Sequence, residues 1–293
     1  MKPPRFTYHD PRTLPEALDL LRQLGADAKL LAGGQSLIPL LNMRMAQPKH
    51  LVDLNRIPEL AYIAERDGGI AIGAMTRHRA VERSALVRER CPLLAEAIGY
   101  IGPLAIRARG TVGGSVAHAD PAAELPAVLA ALDGQVTLRG PSGTRVVRSD
   151  EFFVTYLTTS AGPDELLSEV WLPAAPPRCG QAWLELAQRH GDYALAGVGA
   201  SITLAGDGTI GDARLALIGV GPTPVRARTA EDGLRGERPG PAPFREAARR
   251  VAREVEPETD IHASAEYRRH LAGLLTLQAL ERAARRVAGA EAA

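Results

Sequence analysis

Two glycine pairs, in Ala32-Gly-Gly-Gln-Ser36 and Thr111-Val-Gly-Gly-Ser115, constrain this chain more than any other feature. Backbone amides in a glycine loop can converge on phosphate oxygens because no Cβ blocks the approach, and flanking hydroxyls add donors. Taken alone, the first pair reads more simply as a plain turn between a strand and a helix. The second changes that reading. Gly33 and Gly113 are 80 residues apart, so the loops meet only through folding, and two such loops suit a diphosphate gripped from both sides. The second loop runs on into His118-Ala-Asp-Pro-Ala-Ala-Glu124, whose carboxylates repel phosphate but accept hydrogen bonds from ribose hydroxyls or an adenine amine. The plainer readings are a turn initiated by Asp120 before Pro121, a solvated helix residue at Glu124, and a local backbone cap at His118. No Gly-Lys-Ser/Thr and no Gly-x-Gly-x-x-Gly occurs, which excludes a P-loop and a Rossmann fingerprint. A dinucleotide here needs another fold.

The elements around the loops alternate. Thr13-Leu-Pro-Glu16 predicts a capped helix to about Leu24, stopped at Gly25, and Ala28 to Ala32 predicts a strand breaking into the first glycine pair. Ser36 to Met45 reads as weakly helical, and Leu51–Leu54 and Ile70–Gly73 as strands. Thr76 to Ile101 reads as two helices broken near Cys91-Pro92. An apolar helical run after Leu125 leads into a strand at Val136–Leu138, and Leu166–Leu172 alternates as a strand does. Three prolines between Pro173 and Pro177 mark a domain boundary. Beyond it, Trp183–Gln188, Ala200–Leu204 and Leu215–Val220 predict an antiparallel sheet with a turn at Gly206-Asp-Gly208. A terminal helix over Ser264–Val287 follows, with Tyr267, Leu271, Leu274, Leu275 and Leu280 on its apolar face.

Composition removes other classes. The 293 residues suffice for about two domains, and 45% hydrophobic against 24% charged residues is an ordinary globular balance. A net charge of +1 gives no electrostatic case for nucleic acid or an anionic membrane. Two cysteines, Cys91 and Cys179, are too few for a disulfide framework or an iron–sulfur cluster. His78, His190, His262 and His270 lack metal-ligand spacing, and no Gly-x-Ser-x-Gly elbow supports hydrolase chemistry. With no signal-like N-terminus and no apolar run of ~18 residues, a cytoplasmic location and no membrane insertion are expected.

Arg189-His-Gly-Asp-Tyr-Ala194 and Ser264-Ala-Glu-Tyr-Arg-Arg269, taken with the two loops and His118-Ala-Asp-Pro121, complete a pattern spanning the chain. It resembles the FAD-binding medium subunit of the molybdenum hydroxylases, the flavoprotein of the carbon monoxide dehydrogenase and xanthine dehydrogenase group. The resemblance implies an α+β fold. A vanillyl-alcohol-oxidase (PCMH)-type FAD-binding domain would occupy residues 1–175, as subdomains of about 1–55 and 56–175. A C-terminal α+β domain with an antiparallel sheet would occupy 178–293. It also implies that Ala32, Gly33, Gly34, Gln35, Ser36 and Leu37, with Thr111, Gly113, Gly114 and Ser115, hold the FAD diphosphate, and that His118 and Asp120 belong to the same site. Ile101 would pack near the flavin, Leu166 would line the site and Tyr193 would lie beside the isoalloxazine ring. Glu124 stands where relatives often have Asp on the nucleotide side. One departure is a Lys that some relatives carry near the strand Ala182-Trp-Leu-Glu185; this chain has none there.

The implied activity is electron transfer. A molybdenum-cofactor large subunit oxidises substrate, a small subunit relays electrons through [2Fe–2S] clusters, and the non-covalent FAD of this chain passes them to an external acceptor. The assembly implied is a dimer of heterotrimers, and no side chain here is assigned as an acid–base catalyst. The rival readings are a self-contained FAD-dependent oxidase or reductase, and an assembly subunit without FAD. Substrate and terminal acceptor are not legible.

Overall fold

The computed structural model describes residues 2–287 and Gly289; the ends of the expected domains, at residue 1 and residues 288 and 290–293, lie outside the described residues. The chain opens with β1 (Thr7–His9), α1 (Leu14–Leu24), β2 (Ala28–Leu31), α2 (Leu37–Asn42) and β3 (His50–Asp53). The three strands form a parallel sheet in the order β1-β3-β2. Thr13 caps α1 by accepting from the Glu16 amide, while Glu16 takes the Arg12 amide and Glu59 takes that of Leu14. Leu14, Ala17 and Leu21 close the core over Ala28 and Val52.

Next come β4 (Ile63–Arg66), β5 (Gly69–Gly73), α3 (His78–Arg83), α4 (Ala85–Arg90), α5 (Pro92–Ala97), α6 (Leu104–Arg109), α7 (Val112–His118) and α8 (Glu124–Ala131). They are followed by β6 (Gln135–Gly140), β7 (Gly143–Arg148), α9 (Ser149–Phe152), the small pair β8 (Phe153–Thr155) and β9 (Thr158–Thr159), and β10 (Leu166–Pro173). An antiparallel sheet runs β4-β5-β10-β6-β7. All eight residues of α8 are buried. Where two helices are expected between Thr76 and Ile101, three form, because Ser84 also breaks the run and caps the helix that follows. Cys91 lies at the second break, and full burial pushes its thiol up to about 12, which leaves it inert.

The segment after Pro173 is pinned, with the Ala174 and Ala175 amides bonded to the carbonyls of Gly68 and Arg90. Beyond it, β11 (Cys179–Ala187), β12 (Ala194–Leu204), β13 (Ile210–Ile218) and β14 (Val225–Arg226) form an antiparallel sheet, followed by α10 (Arg228–Leu234), α11 (Pro241–Glu254) and α12 (Ala265–Val287). This sheet is covered on both faces. Trp183, Ala216 and Ile218 join the core of the preceding sheet, whereas Val198, Leu215 and Leu217 pack under α11 and α12. Burial on both faces explains why β12 starts earlier than its alternating part suggests: nine of its residues, from Ala194, are buried. The inner face of α12 also differs from expectation. Leu271, Leu275 and Leu280 are buried with Ala272, Ala279 and Ala283, while Tyr267 and Leu274 are more than two-fifths exposed. Alanines face the sheet because the helix approaches closely: a Cβ on Gly180 would sit 2.0 Å from the Ala283 carbonyl. Among the described residues no helix is long and apolar enough to cross a membrane.

Candidate functional site

The first glycine pair follows β2 directly. Gly34 has a φ of +74°, in the region that favours glycine, and turns the chain into α2. The backbone amides of Gly33, Gly34, Gln35, Ser36 and Leu37 have no protein acceptor among the described residues, so this short segment presents a run of open donors. Its shape is fixed from behind. Gln35 Nε2 donates to the Gly33 carbonyl at 2.9 Å, Asn55 Nδ2 donates to that of Ala32 at 3.0 Å, and Arg77 donates to Asn55 Oδ1 and to the Arg109 carbonyl.

The two glycine segments do meet. A Cβ on Gly33 would lie 2.5 Å from the Arg109 carbonyl oxygen and 2.8 Å from Gly110 Cα, so backbone rests on backbone. On the other side, a Cβ on Gly114 would lie 3.4 Å from Ala32 Cβ.

The second segment is not a loop, however. Thr111 is the N-cap of α7, its hydroxyl accepting from the Gly114 amide at 3.1 Å. Val112 and Gly113 donate to Thr76 and Ala74, and Ser115 donates to the Thr111 carbonyl. These amides are already engaged, so the segment expected as a second glycine loop is instead the capped start of a helix. Gly113 serves packing, since a Cβ there would lie 2.4 Å from Ala74 Cβ. This side offers the partly exposed Ser115, whose hydroxyl has no protein partner among the described residues. Behind it His78 is buried, its Nε2 2.9 Å from the Thr111 carbonyl; burial pulls its pKa down to about 4, so it is a neutral donor.

Past α7 the remaining candidates divide. The His118 ring makes no protein hydrogen bond among the described residues, and the chain turns at Ala119 with φ +52°. Asp120 takes the plainer role, accepting from the Ala122 amide at 2.9 Å to start the turn at Pro121. Glu124 is not solvated. It is 8% exposed at the start of α8, and burial, followed by the charges of Glu185 and Asp120, pushes its pKa up to about 8. With its pKa above 7, its carboxyl carries a proton at neutral pH and so has an O–H to offer. Burial likewise pushes Glu185 up to about 7, against an opposing hydrogen bond from Trp183 Nε1 at 2.9 Å. Leu166 has no exposed surface and packs with Leu14 and Met75, so it stiffens the core and lines no open cleft.

Tyr193 lies in the segment between β11 and β12. His190 stacks on Tyr100 with ring centroids 6.1 Å apart, and Gly191, at φ +89°, lies against Gly102 and Pro103. This carries the segment past Ile101, which is partly buried on the core. Tyr193 is 65% exposed, and partial burial, followed by the charge of Asp120, raises its phenol pKa. Gly219 ties the two segments together: its amide donates to the Pro121 carbonyl at 2.9 Å and its backbone lies against the Leu195 carbonyl, so the Tyr193 segment and the Asp120 turn are neighbours.

Two family models cover the chain. The FAD binding domain in molybdopterin dehydrogenase matches residues 4–175, and the CO dehydrogenase flavoprotein C-terminal domain matches 181–283. The chain belongs to the carbon monoxide dehydrogenase and xanthine dehydrogenase flavoprotein family. It is 42% identical to the 6-hydroxypseudooxynicotine dehydrogenase complex subunit alpha of Paenarthrobacter nicotinovorans, with 98% of this chain and 97% of that one aligned. It is 40% identical to the carbon monoxide dehydrogenase medium chain of Hydrogenophaga pseudoflava, over 97% and 98% of the two chains. The solved carbon monoxide dehydrogenase of that organism, in a form lacking the Mo-pyranopterin moiety, superposes with a TM-score of 0.94 over 97% of this chain and 98% of that chain. Quinoline 2-oxidoreductase from Pseudomonas putida 86 gives 0.93 at 34% identity, over 98% and 99%.

As a member of this family the chain is a subunit of an oxidoreductase and carries an FAD-binding domain. The open amides of residues 33–37 fit the diphosphate of that cofactor, since no acceptor among the described residues competes for them. Sequence reasoning missed Asn55, Arg77 and Glu185, and weighed His78 only as a metal ligand. Asn55 carries a signal: it lies in the turn two residues past the end of β3, which runs parallel to the strand that delivers the first glycine pair. Arg77 and His78 carry none, because each is held by a backbone carbonyl more than 30 residues away, and Arg77 also by the Asn55 side chain.

Proposed function

We propose that this chain is the electron-transfer flavoprotein subunit of a molybdenum hydroxylase complex. It receives electrons from the [2Fe–2S] clusters of a small subunit, and a large subunit with the molybdenum cofactor oxidises the substrate. The observation that carries the reading is the row of open amides from Gly33 to Leu37, against which the Arg109–Gly110 backbone and Gly114 pack from a distant part of the chain. FAD, when bound, supplies both one-electron and two-electron redox chemistry. The protein does the rest. In this reading Gly33 to Leu37 donate to the diphosphate, Ser115 adds a hydroxyl, and Gly114 keeps that wall close to Ala32. Neutral Glu124 donates on the nucleotide side, with Asp120 and His118 beside it, and Tyr193 with Ile101 borders the flavin. Thr111 and Gly113 act from behind by building α7.

The same reading divides the chain into an FAD-binding domain over residues 1–175, with subdomains of about 1–55 and 56–175, and a C-terminal domain over 178–293. Its support is the three larger sheets, each built from one stretch of the chain, and the pinned segment after Pro173. It places the protein in the cytoplasm, as one member of a dimer of heterotrimers with the cofactor bound non-covalently. Co-expression with candidate large and small subunits tests it: a stable heteromer is expected, in which the flavin is reduced through the small subunit. Isolated, FAD-loaded chain that turns over a small organic substrate with an added acceptor would favour a self-contained oxidase instead.

A further inference from the structure

The motif around Tyr267-Arg268 lies far along the chain from the glycine segments, and its arginine is only 7% exposed. Arg268 Nη1 donates to the Leu195 carbonyl at 2.6 Å and to that of Gly219 at 3.2 Å. Nη2 donates to Asp260 Oδ2 at 2.8 Å, while Asp260 Oδ1 is held by the amides of His262 and Ala263. The two carbonyls lead to opposite walls of the cleft. Leu195 is two residues past Tyr193. Gly219 donates its amide to the Pro121 carbonyl at 2.9 Å, and Pro121 adjoins Asp120 in the turn that leads to Glu124. Gly219 has φ +72°, and a Cβ there would lie 2.7 Å from the Leu195 carbonyl, so the two strand ends converge on one guanidinium.

We propose that Arg268 is a positioning residue that holds the tyrosine wall and the Asp120–Glu124 wall of the FAD cleft in register. This rests on the functional reading above. Arg268 does not itself reach the cleft. The task needs a planar fork, because a guanidinium can serve two carbonyls and a carboxylate at once, whereas an ammonium on a flexible stem matches that geometry poorly. As a pure stabiliser the arrangement is poor, since burying a cation is costly and Arg268 Nε has no partner among the described residues.

The test uses the full chain with Arg268→Met and Arg268→Lys, well below their melting temperatures. In Arg268→Met, amide exchange is expected to rise at residues 193–196 and 120–123 while α12 from Leu271 onward keeps its protection. FAD should bind about tenfold more weakly, as expected for lost hydrogen bonds from a charged donor. Arg268→Lys should fall between Arg268→Met and wild type, and it remains the test variant if Arg268→Met does not fold. The flavin absorption change caused by Arg268→Met should vanish when Tyr193→Ala is already present. Unchanged exchange at both segments, exchange raised equally along α12, or a flavin change that is additive with Tyr193→Ala would overturn the assignment. Failure of wild-type protein to bind FAD would instead sink the functional reading and leave the exchange result to judge Arg268 alone.

Discussion

Gly34→Ala and Gly33→Ala should separate cofactor binding from folding, although the two glycines are adjacent. At Gly34 the φ of +74° costs an L-residue ~1–2 kcal/mol, and the new methyl would lie 3.1 Å from Ile38 Cγ1, a side chain able to yield. Against a total stability of about 5–15 kcal/mol the protein stays folded. The strain is relieved by rotating the neighbouring peptide, which turns one open amide away from the diphosphate. A hydrogen bond to a charged acceptor contributes about 1.5–3 kcal/mol, so FAD should bind roughly 10- to 150-fold more weakly. At Gly33 the new methyl would meet the Arg109 carbonyl at 2.5 Å, and backbone cannot yield as a side chain does. Overpacking of that kind costs about 1–3 kcal/mol and parts the two segments, so stability and FAD binding should fall together. Thermal melts of apoprotein and fluorescence titration with FAD give both quantities. Wild-type FAD affinity in Gly34→Ala, or wild-type stability in Gly33→Ala, would refute the reasoning.

Glu124 has its folded pKa raised from 4.5 to about 8, so between those values the folded state holds a proton that the unfolded state has lost. Stability should therefore fall as pH rises through that window, with Glu185 adding to the fall up to about 7, and Glu124→Gln should flatten the curve in urea unfolding; parallel curves would contradict this. Arg226 pairs through Nε and Nη2 with Glu231, whose side chain is 2% exposed, so Arg226→Met leaves a buried carboxylate unpaired and should cost about 3–5 kcal/mol by chemical denaturation; a loss below 1 kcal/mol would show that the pair matters little. Tyr193→Ala should retain FAD but alter the flavin absorption envelope and its reactivity with oxygen; an unchanged spectrum with unchanged kinetics would place Tyr193 away from the ring.

Local chemistry made much of the fold legible. Thr13 and Gly25 bound α1, and Gly206-Asp-Gly208 makes the β12–β13 turn, where Asp207 accepts from the Thr209 amide. Elements set by tertiary burial were less legible. The Ala194–Gly199 part of β12 lacks alternation because both faces are covered, and its glycines leave room: a Cβ on Gly199 would already touch the Trp183 ring at 3.2 Å. At the site, glycine pairs with flanking hydroxyls signal a backbone cradle, but they do not say which amides stay free. That depends on Ala74 and Thr76, whose carbonyls take those of Gly113 and Val112. Glu124 reads as a solvated helix residue until Glu185 and the fold enclose it.

FAD content of the purified full chain tests the central claim most directly. Titration with FAD, followed by acid precipitation, should give one flavin per chain with the yellow colour released to the supernatant. A chain that stays colourless and takes up no added FAD would contradict the account, and colour retained in the pellet would contradict the non-covalent grip.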